Sequence, residues 1–423
     1  MSSAGGRRLV VMGQGYVGLP LTMRALEVGF EVVGFDVDEA RVDRLRTGRT
    51  YIDDVSDEEI AAALATGRFR PTRSVTDLAG FDVAVITVPT PLRDGAPDLR
   101  FVESAATMLA PHVTTGCCVV LESTTYPGTT ESVLIPLLEA GSPLRAGQDY
   151  RVGYSPERID PSNPVWNFRN TPKIVSGVDE LSTKAVAQFY GGLVDRVVPV
   201  AGIREAELTK LLENTFRHVN IALVNELAMV CHGLGIDVWS VIDAAATKPF
   251  GFMPFRPGPG VGGHCLPIDP SYLSWQVRRS LNQNFRFIET ANDINDHMPD
   301  YVVARAGEHL NLRARSVKDS SVLLVGLAYK RNSGDARQSP ALEVARRLLG
   351  LGARVRGVDP LVDRAHLPAG LELVACTPEE VAAADLVIVL TDHDDLPWEL
   401  LERHADHVLD TRNRVRSEAV DRL

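Results

Sequence analysis

The apolar run Leu9–Met12 breaks off into Gly13-Gln14-Gly15-Tyr16-Val17-Gly18, and this junction restricts the fold more than any other stretch of the 423 residues. A short strand that enters glycines spaced G-x-G-x-x-G and leaves in a helical pattern is built to turn tightly beneath a ligand. Gly13 permits the turn, Gly15 lets a pyrophosphate approach the backbone, and Gly18 lets helix and strand pack closely. The helix N-terminus, with Tyr16 and Val17 leading into it, then faces the phosphates. The motif alone is weak. It gains weight from Asp36, which ends a second apolar run, Glu31–Phe35. An acid about 20 residues past the glycines binds the adenosine ribose diol and repels a 2′-phosphate, so NAD is expected in preference to NADP. Arg41, a turn further, is placed either to stack on the adenine or to stand solvated.

Short apolar runs alternate with helical patterns through the first third of the chain, the signature of βαβ units and a parallel sheet. Strands are expected at Leu9–Met12, Glu31–Phe35, Val83–Val88, Cys118–Glu122 and Tyr150–Tyr154, with a helix over Asp57–Leu64. Residues 151–177, rich in Pro and Asn, are expected to wrap over the sheet as ordered loops. From Glu205 apolar residues recur at helical spacing (Leu208, Leu211, Leu212, Phe216, Val219, Leu223, Leu227, Val230) until Gly233 and Gly235. Such a helix suits a bridge between two lobes or a dimer seam. The Pro- and Gly-dense residues 249–270 forbid a long helix and demand a shaped loop.

After Ser316 the alternation restarts, with strands expected at Ser321–Val325, Arg354–Val358, Asp385–Leu390 and, last, His407–Leu409, and a helix at Ala341–Leu349. The expected architecture is therefore α/β: two Rossmann-like, doubly wound parallel-sheet domains joined by a long central helix. Their expected bounds are 1–203 and 313–423, with a central region 204–312 between them, to which the resemblance given below assigns dimerisation and catalysis.

Composition narrows the functional classes. One hydrophobic core seldom serves a chain this long. Hydrophobic content of 45% and charged content of 23% are ordinary for a globular protein. The net charge of −11 disfavours nucleic acid and anionic membranes as partners. No stretch approaches the ~18 consecutive apolar residues of a membrane span, and the first apolar run is too short for a signal peptide, so the cytoplasm is the expected compartment. Cys117, Cys118, Cys231, Cys265 and Cys376 are odd in number, irregularly spaced and without a CxxC pair. Neither a disulfide framework nor a bound metal is expected.

Cys265 stands apart from the other cysteines because its loop, GVGGHCLPID, is glycine-rich. Gly262 and Gly263 clear space beside the thiol, and Asp269 lies four residues on. Cys117 and Cys118 fall in a strand and Cys231 on an apolar helix face, where a thiol is a small hydrophobe. Lys210 and Asn214 are four apart on the long helix and interrupt its apolar pattern. Together an ammonium and an amide can stabilise an oxyanion. By spacing alone, a solvated lysine beside an incidental asparagine is the stronger reading.

Taken together and in order, these segments resemble the UDP-glucose/GDP-mannose dehydrogenase family. The likeness runs through GQGYVGLP at Gly13, VPTPL at Val88, ESTTYPGTT at Glu122, SPERIDPSN at Ser155, ELTKLLENTF at Glu207, GVGGHC at Gly260 and GLAYKRNSGDARQSP at Gly326. The variants ESTTYPGTT, SPERIDP and GGHCLPIDP are most similar to the branch that oxidises UDP-N-acetylhexosamines, particularly UDP-N-acetylglucosamine. The UDP-glucose branch typically carries a Lys where this chain has Ile268.

The resemblance implies a homodimer or higher homo-oligomer with NAD on the N-terminal domain and a UDP-sugar on the C-terminal one. It implies two oxidations with NAD that turn a sugar hydroxymethyl group into a carboxylate. Cys265 would add to the intermediate aldehyde as thiolate, and the thiohemiacetal would be oxidised to a thioester. Water activated by Glu157 would then hydrolyse it. Lys210 and Asn214 would stabilise oxyanions, Asp269 would orient Lys210 or the water, and Thr124 would lie by the water and the nicotinamide. Pro89, Thr90 and Arg337 would touch the cofactor. Arg158, Gly262, Gly263 and Lys330 would touch the substrate. His264 is expected to pack the loop.

Two other classes compete. A β-hydroxyacid dehydrogenase transfers one hydride and needs no cysteine. A catalytically dead nucleotide-sugar-binding dimer needs none of Cys265, Lys210, Asn214, Glu157 and Asp269.

Overall fold

The computed structural model of the protein describes residues 6–52, 54–160, 163, 165–263, 266–404 and 407–423. They form two compact units, one running to Glu213 and including 279–281, the other comprising 214–278 and 282–423.

In the first unit the strands are β1 (Arg8–Met12), β2 (Glu31–Phe35), β3 (Phe69–Thr72) and β4 (Val83–Ile86), then a small hairpin of β5 (Leu92–Arg93) and β6 (Ala96–Pro97). Next come β7 (Cys118–Leu121), β8 (Arg151–Tyr154), β9 (Lys173–Gly177) and β10 (Val197–Pro199). Outside the hairpin they make one sheet in the order β10-β9-β8-β7-β4-β1-β2-β3. The order reverses between β1 and β4, which opens a crevice at their carboxyl ends. Strand β1 shows no polar–apolar alternation because both of its faces are covered. Leu9 and Val11 join a core with Leu21, Leu45 and Val186, while Val10 and Met12 join one with Val102, Leu109 and Tyr154.

The second unit repeats the plan. Its strands β11 (Ser321–Val325), β12 (Arg354–Val358), β13 (Glu372–Leu373), β14 (Leu386–Val389), β15 (Val408–Asp410) and β16 (Asp421–Arg422) are ordered β13-β12-β11-β14-β15-β16. Each neighbouring pair is parallel. Val322 and Leu324 pack with Met298 and Leu348, and Leu323 and Val325 with Val381 and Leu401.

The helix Ile203–Leu234, 32 residues long, joins the two α/β parts and extends about 48 Å at 1.5 Å per residue. It stops where Gly235 takes a positive φ of 69°. There the Gly235 N–H donates to the His232 carbonyl and the Ile236 N–H to that of Cys231, a Schellman ending. No helix among the described residues is long and apolar enough to cross a membrane.

Besides the unexpected short strands β3, β5, β6, β10 and β13, three details depart from the expectation. Residues 151–177 are not all loop: Lys173–Gly177 is a strand, antiparallel to β8 through Gly153↔Gly177 and Tyr154↔Ser176. The glycines let it form, since a Cβ on Gly153 would overlap the Ser176 carbonyl and one on Gly177 would overlap the backbone of Ser182 and Thr183. The final strand is Asp421–Arg422 rather than the one near His407. The run from Val83 stops at Ile86 because Thr87 turns the chain, its hydroxyl donating to the carbonyls of Met12 and Gly13.

Candidate active site

The glycine loop distinguishes its three glycines. Gly13 has a φ of +95°, and a Cβ there would sit 2.9 Å from the Thr87 carbonyl oxygen. A Cβ on Gly18 would overlap the Gly13 carbonyl, whereas one on Gly15 would meet nothing within 4 Å. Gly15 therefore leaves the backbone bare toward open space, as the approach of a pyrophosphate requires. Asp36, 5% exposed, accepts from the Gln14 N–H at 2.8 Å and the Asp38 N–H at 2.9 Å. It thus ties the end of β2 to the loop after β1. The residues present fit a dinucleotide. Arg41 pairs with Asp36 at 3.5 Å, and its guanidinium lies 5.6 Å from the centre of the Tyr51 ring. The stacking partner that the structure gives Arg41 is thus Tyr51. Tyr16 and Pro89 are exposed and Val17 and Thr90 half-buried at this edge.

A second cluster lies two strands along. Glu122 follows β7, Glu157 follows β8 by three residues, and Lys173 opens β9. Because β9 runs antiparallel to β8, its first residue reaches the edge where β7 and β8 end. The Lys173 ammonium bridges the two acids, donating to Glu122 and, at 3.1 Å, to Glu157 Oε2. The ammonium also lies 5.5 Å from the Phe168 ring centre and 5.1 Å from that of Tyr190. Tyr190 donates its hydroxyl to Glu122 Oε2 at 2.7 Å. Glu157 Oε1 accepts from the N–H groups of Arg158 and Ile159.

All three charged groups are buried, and burial opposes the charge of each carboxyl. For Glu157, Lys173, Glu122, the Ile159 N–H and Lys210 outweigh that penalty and hold the carboxyl down at about 2. For Glu122 burial prevails over Lys173 and pushes it up to about 8.

Of the other expected residues of this unit, Arg158 has firm partners. Arg158 gives its guanidinium to Glu213 at 2.7 Å and to the Pro172 carbonyl at 2.7 Å. Lys210 is buried on the long helix. Thr124 is half-buried, while its neighbour Thr125 is fully buried with a hydroxyl that has no partner among the described residues.

In the second unit Asn214 and Asp269 meet. The amide nitrogen donates to Asp269 Oδ2 at 2.5 Å, and both residues are buried. Asp269 begins the helix Asp269–Leu281, where the helix dipole favours a carboxylate. Cys265 and His264 lie outside the described residues. The segment leading to them is pinned by amides: the Gly258 N–H donates to Asn225, Asn225 to Asn295, Asn295 to His218 and His218 to Asn292. A Cβ on Gly262 would come within 2.7 Å of the Gln338 carbonyl, and one on Gly263 within 2.8 Å of the Tyr329 ring. The room these glycines yield is filled by the segment around Tyr329 and Gln338. Lys330 is half-buried there, and Arg337 forms a two-point ion pair with Asp335, both contacts 2.9 Å.

Glu122, Lys173 and Tyr190 escaped the sequence reading. The available signal was a lysine directly before a short apolar run, which alone reads as a solvated strand end.

Comparison with known proteins identifies the arrangement. Residues 7–193 match the NAD binding domain of the UDP-glucose/GDP-mannose dehydrogenase family, 204–297 its central domain and 323–417 its UDP binding domain. The UDP-N-acetyl-D-mannosamine dehydrogenase of Pyrococcus horikoshii is 34% identical, covering 98% of this chain and 97% of its own. Its solved structure superposes with a TM-score of 0.87 at 33% identity, with the same coverage of both chains. The UDP-N-acetyl-D-glucosamine 6-dehydrogenase of Pseudomonas aeruginosa is 37% identical over 84% of this chain and 83% of that one. The chain belongs to the UDP-glucose/GDP-mannose dehydrogenase family and is an NAD-dependent oxidoreductase acting on a UDP-sugar.

Proposed function

We propose that the protein oxidises the 6-hydroxymethyl group of a UDP-N-acetylhexosamine, UDP-N-acetylglucosamine before others, to the carboxylate through a thioester on Cys265. The observation that carries the mechanism is Glu157, a buried carboxyl held ionised by an ammonium and two backbone N–H groups. A carboxylate ionised at neutral pH is free to take a proton from water, and the donors that hold it ionised also make it a weak base, so its contribution rests on position. NAD, which the Gly13–Gly18 loop and Asp36 would hold, would supply the hydride acceptor, one molecule for each of the two oxidations.

The remaining steps belong to side chains of this chain. Cys265, as thiolate, adds to the aldehyde carbon to give a thiohemiacetal, and oxidation of that species leaves the thioester. The Lys210 ammonium and the Asn214 amide donate to the oxygen that becomes negative. Asp269 fixes Asn214 through one amide N–H, which leaves the other for the oxyanion. Glu157 removes a proton from water as the water oxygen bonds to the thioester carbon, and the Cys265 thiolate departs with the C–S electron pair. Thr124 stands beside that water. Lys330 and Arg158 act on the substrate and Arg337 on the cofactor.

The preference for an N-acetylhexosamine rests on Ile268, where the UDP-glucose branch carries Lys, and on the two relatives named above. UDP-N-acetylmannosamine is the alternative substrate favoured by the Pyrococcus relative. NADH formation with UDP-N-acetylglucosamine, UDP-N-acetylmannosamine, UDP-N-acetylgalactosamine, UDP-glucose and GDP-mannose tests this choice. Turnover of UDP-glucose above the acetylated sugars overturns it.

The assembly is proposed to be a homodimer or a higher homo-oligomer. Leu208, Leu212, Phe216, Leu223, Val230 and Leu234 recur along the long helix and are all exposed. An exposed apolar stripe of this length calls for a partner, and a second copy of the same helix matches it.

A further inference from the structure

We infer that Glu157 works as the ionised member of a buried carboxyl pair, with Glu122 held behind it as the neutral acid and Lys173 as the cation that positions both. The inference rests on Glu157 being the base of the proposed hydrolysis.

The geometry assigns the proton. Glu122, Glu157 and Lys173 are 0%, 8% and 4% exposed. Two carboxylates and one ammonium would leave a net negative charge in a medium that solvates it poorly, so one carboxyl keeps its proton. Glu157 accepts from two backbone N–H groups and from Lys173, and Lys210 on the long helix adds a favourable field. Glu122 is the more deeply buried and accepts from Lys173 and the Tyr190 hydroxyl. The better-solvated anion is Glu157, and the proton stays on Glu122. The directions of their ionisation agree: Glu122 is pushed up to about 8 by burial, and Glu157 is held down at about 2.

Among the described residues, the charged and titratable groups facing this pair are Lys173 from β9, Tyr190 from the helix Glu180–Gly191 and Lys210 from the long helix. With Glu122 neutral, the trio carries no net charge. The single ammonium is then not divided between two anions and holds Glu157 Oε2 toward its task.

The first arm of the test needs no substrate. An acid that keeps its proton in the fold up to about pH 8, but loses it near 4.5 when unfolded, makes stability fall as pH rises between those values. Glu122→Gln, which mimics the protonated acid, should therefore gain thermal stability relative to the unsubstituted protein between pH 6 and pH 8. In Glu157→Gln the competing anion is gone, so Glu122 can ionise beside Lys173 and the decline should weaken there too. If Glu122→Gln does not fold, Tyr190→Phe keeps the ring against Lys173 and removes a donor to the ionised acid. The ionisation of Glu122 should then move to higher pH, extending the decline in stability past pH 8. A pH-independent difference for Glu122→Gln overturns the inference, as does an unmoved decline in Tyr190→Phe where that variant alone folds.

The second arm reads positioning. Lys173→Met should lower kcat by about a hundredfold, in the range of a mis-set general base, with KM within about threefold, and acylated Cys265 should accumulate. Lys173→Arg should restore most of the loss. Wild-type turnover in Lys173→Met overturns the positioning role. If Glu157→Gln itself fails to accumulate acylated Cys265, the assignment of the base has failed, whereas the stability arm still reports where the proton sits.

Discussion

Asp359 stands in the second sheet where Asp36 stands in the first, each just past the second strand of its unit, but the two carboxylates are spent differently. Asp36 accepts two backbone N–H groups and faces Arg41 at 3.5 Å. Asp359 accepts from the N–H groups of Leu327, Ala328, Leu361 and Val362 and from His393 Nε2. His393 Nδ1 takes the Asn332 N–H, so the Nε2 proton is the one given to Asp359. Asp36 keeps lone pairs for a ribose diol, and Asp359 has been turned wholly into a bracket for the turn after β11.

The two aspartates should therefore fail in different ways. Asp36→Ala should raise the use of NADP relative to NAD at least tenfold, about 1.4 kcal/mol, with a smaller loss of melting temperature than at Asp359, since two backbone N–H groups rather than four lose their acceptor. Asp359→Ala should leave the cofactor ratio unchanged and cost roughly 3 kcal/mol or more, since several buried N–H groups lose their acceptor. Although burial opposes its charge, His393 and the backbone N–H groups prevail and hold Asp359 below the usual carboxylate range. Its stabilisation is thus present above the unfolded pKa and is lost as pH falls through the lowered folded value. Melting curves from pH 3 to 7 and paired NAD/NADP kinetics check both claims.

Covalent chemistry on Cys265 makes a sharper demand. One substrate should yield two NADH and a carboxylate with no free aldehyde. Cys265→Ser replaces a readily ionised thiol by a hydroxyl and should cut turnover by several orders of magnitude while both ligands still bind. In Glu157→Gln, enzyme quenched during turnover should carry a UDP-uronyl mass on Cys265. An unmodified cysteine together with one NADH per substrate rules the thioester out.

Charge placed on the exposed stripe of the long helix should break the assembly. Leu212 and Leu223 are 62% and 60% exposed, so Leu212→Glu with Leu223→Glu disturbs little inside one subunit. Light scattering should show a dimer or larger for the unsubstituted chain and a monomer for the variant. A monomeric mass for both would leave the stripe without a partner.

Glu207 offers a stability test away from the reacting groups. Its carboxylate accepts from the Gly128 and Thr130 N–H groups and the Thr130 hydroxyl. Burial nevertheless raises its ionisation from 4.5 to about 7. The folded chain then holds a proton that the unfolded chain releases, so stability should decline from about pH 4.5 to 7 and level off above. Glu207→Gln should abolish that decline. It should also cost about 1–3 kcal/mol at pH 8, because an amide cannot accept all three donors.

What could be read from the sequence followed from how local each signal was. Glu31–Phe35, Ser321–Val325 and Arg354–Val358 are strands end to end as expected, because runs covered on both faces by helices need no register to be recognised. Lys173–Gly177 was missed because its glycine and serine look like loop and its pairing is set by Gly153, twenty residues earlier. The glycines of the dinucleotide loop act on their immediate neighbours and were legible. Glu122 and Lys173 are 51 residues apart, and only the adjacency of three strand ends makes them one group. Asp269 was singled out by its distance from Cys265, but its hydrogen bond to Asn214 depends on how the helix from Asp269 lies against the long one.

The ladder from Gly258 through Asn225, Asn295 and His218 to Asn292 works as a key cut for one register. Two apolar helix faces can slide past one another by a turn at modest cost, since one leucine replaces another. Donor must meet acceptor at every rung here, and a one-turn slip of the helix Arg286–Leu312 along the long helix would unpair the three rungs between the helices together. The loop that leads to Cys265 hangs from the first rung, so its placement along the helix pair is indexed by side-chain amides rather than by its own proline-rich backbone. Asn225→Leu should accordingly leave a folded protein whose loop has lost its stop, with catalytic constants that scatter with temperature and helices that still melt as one.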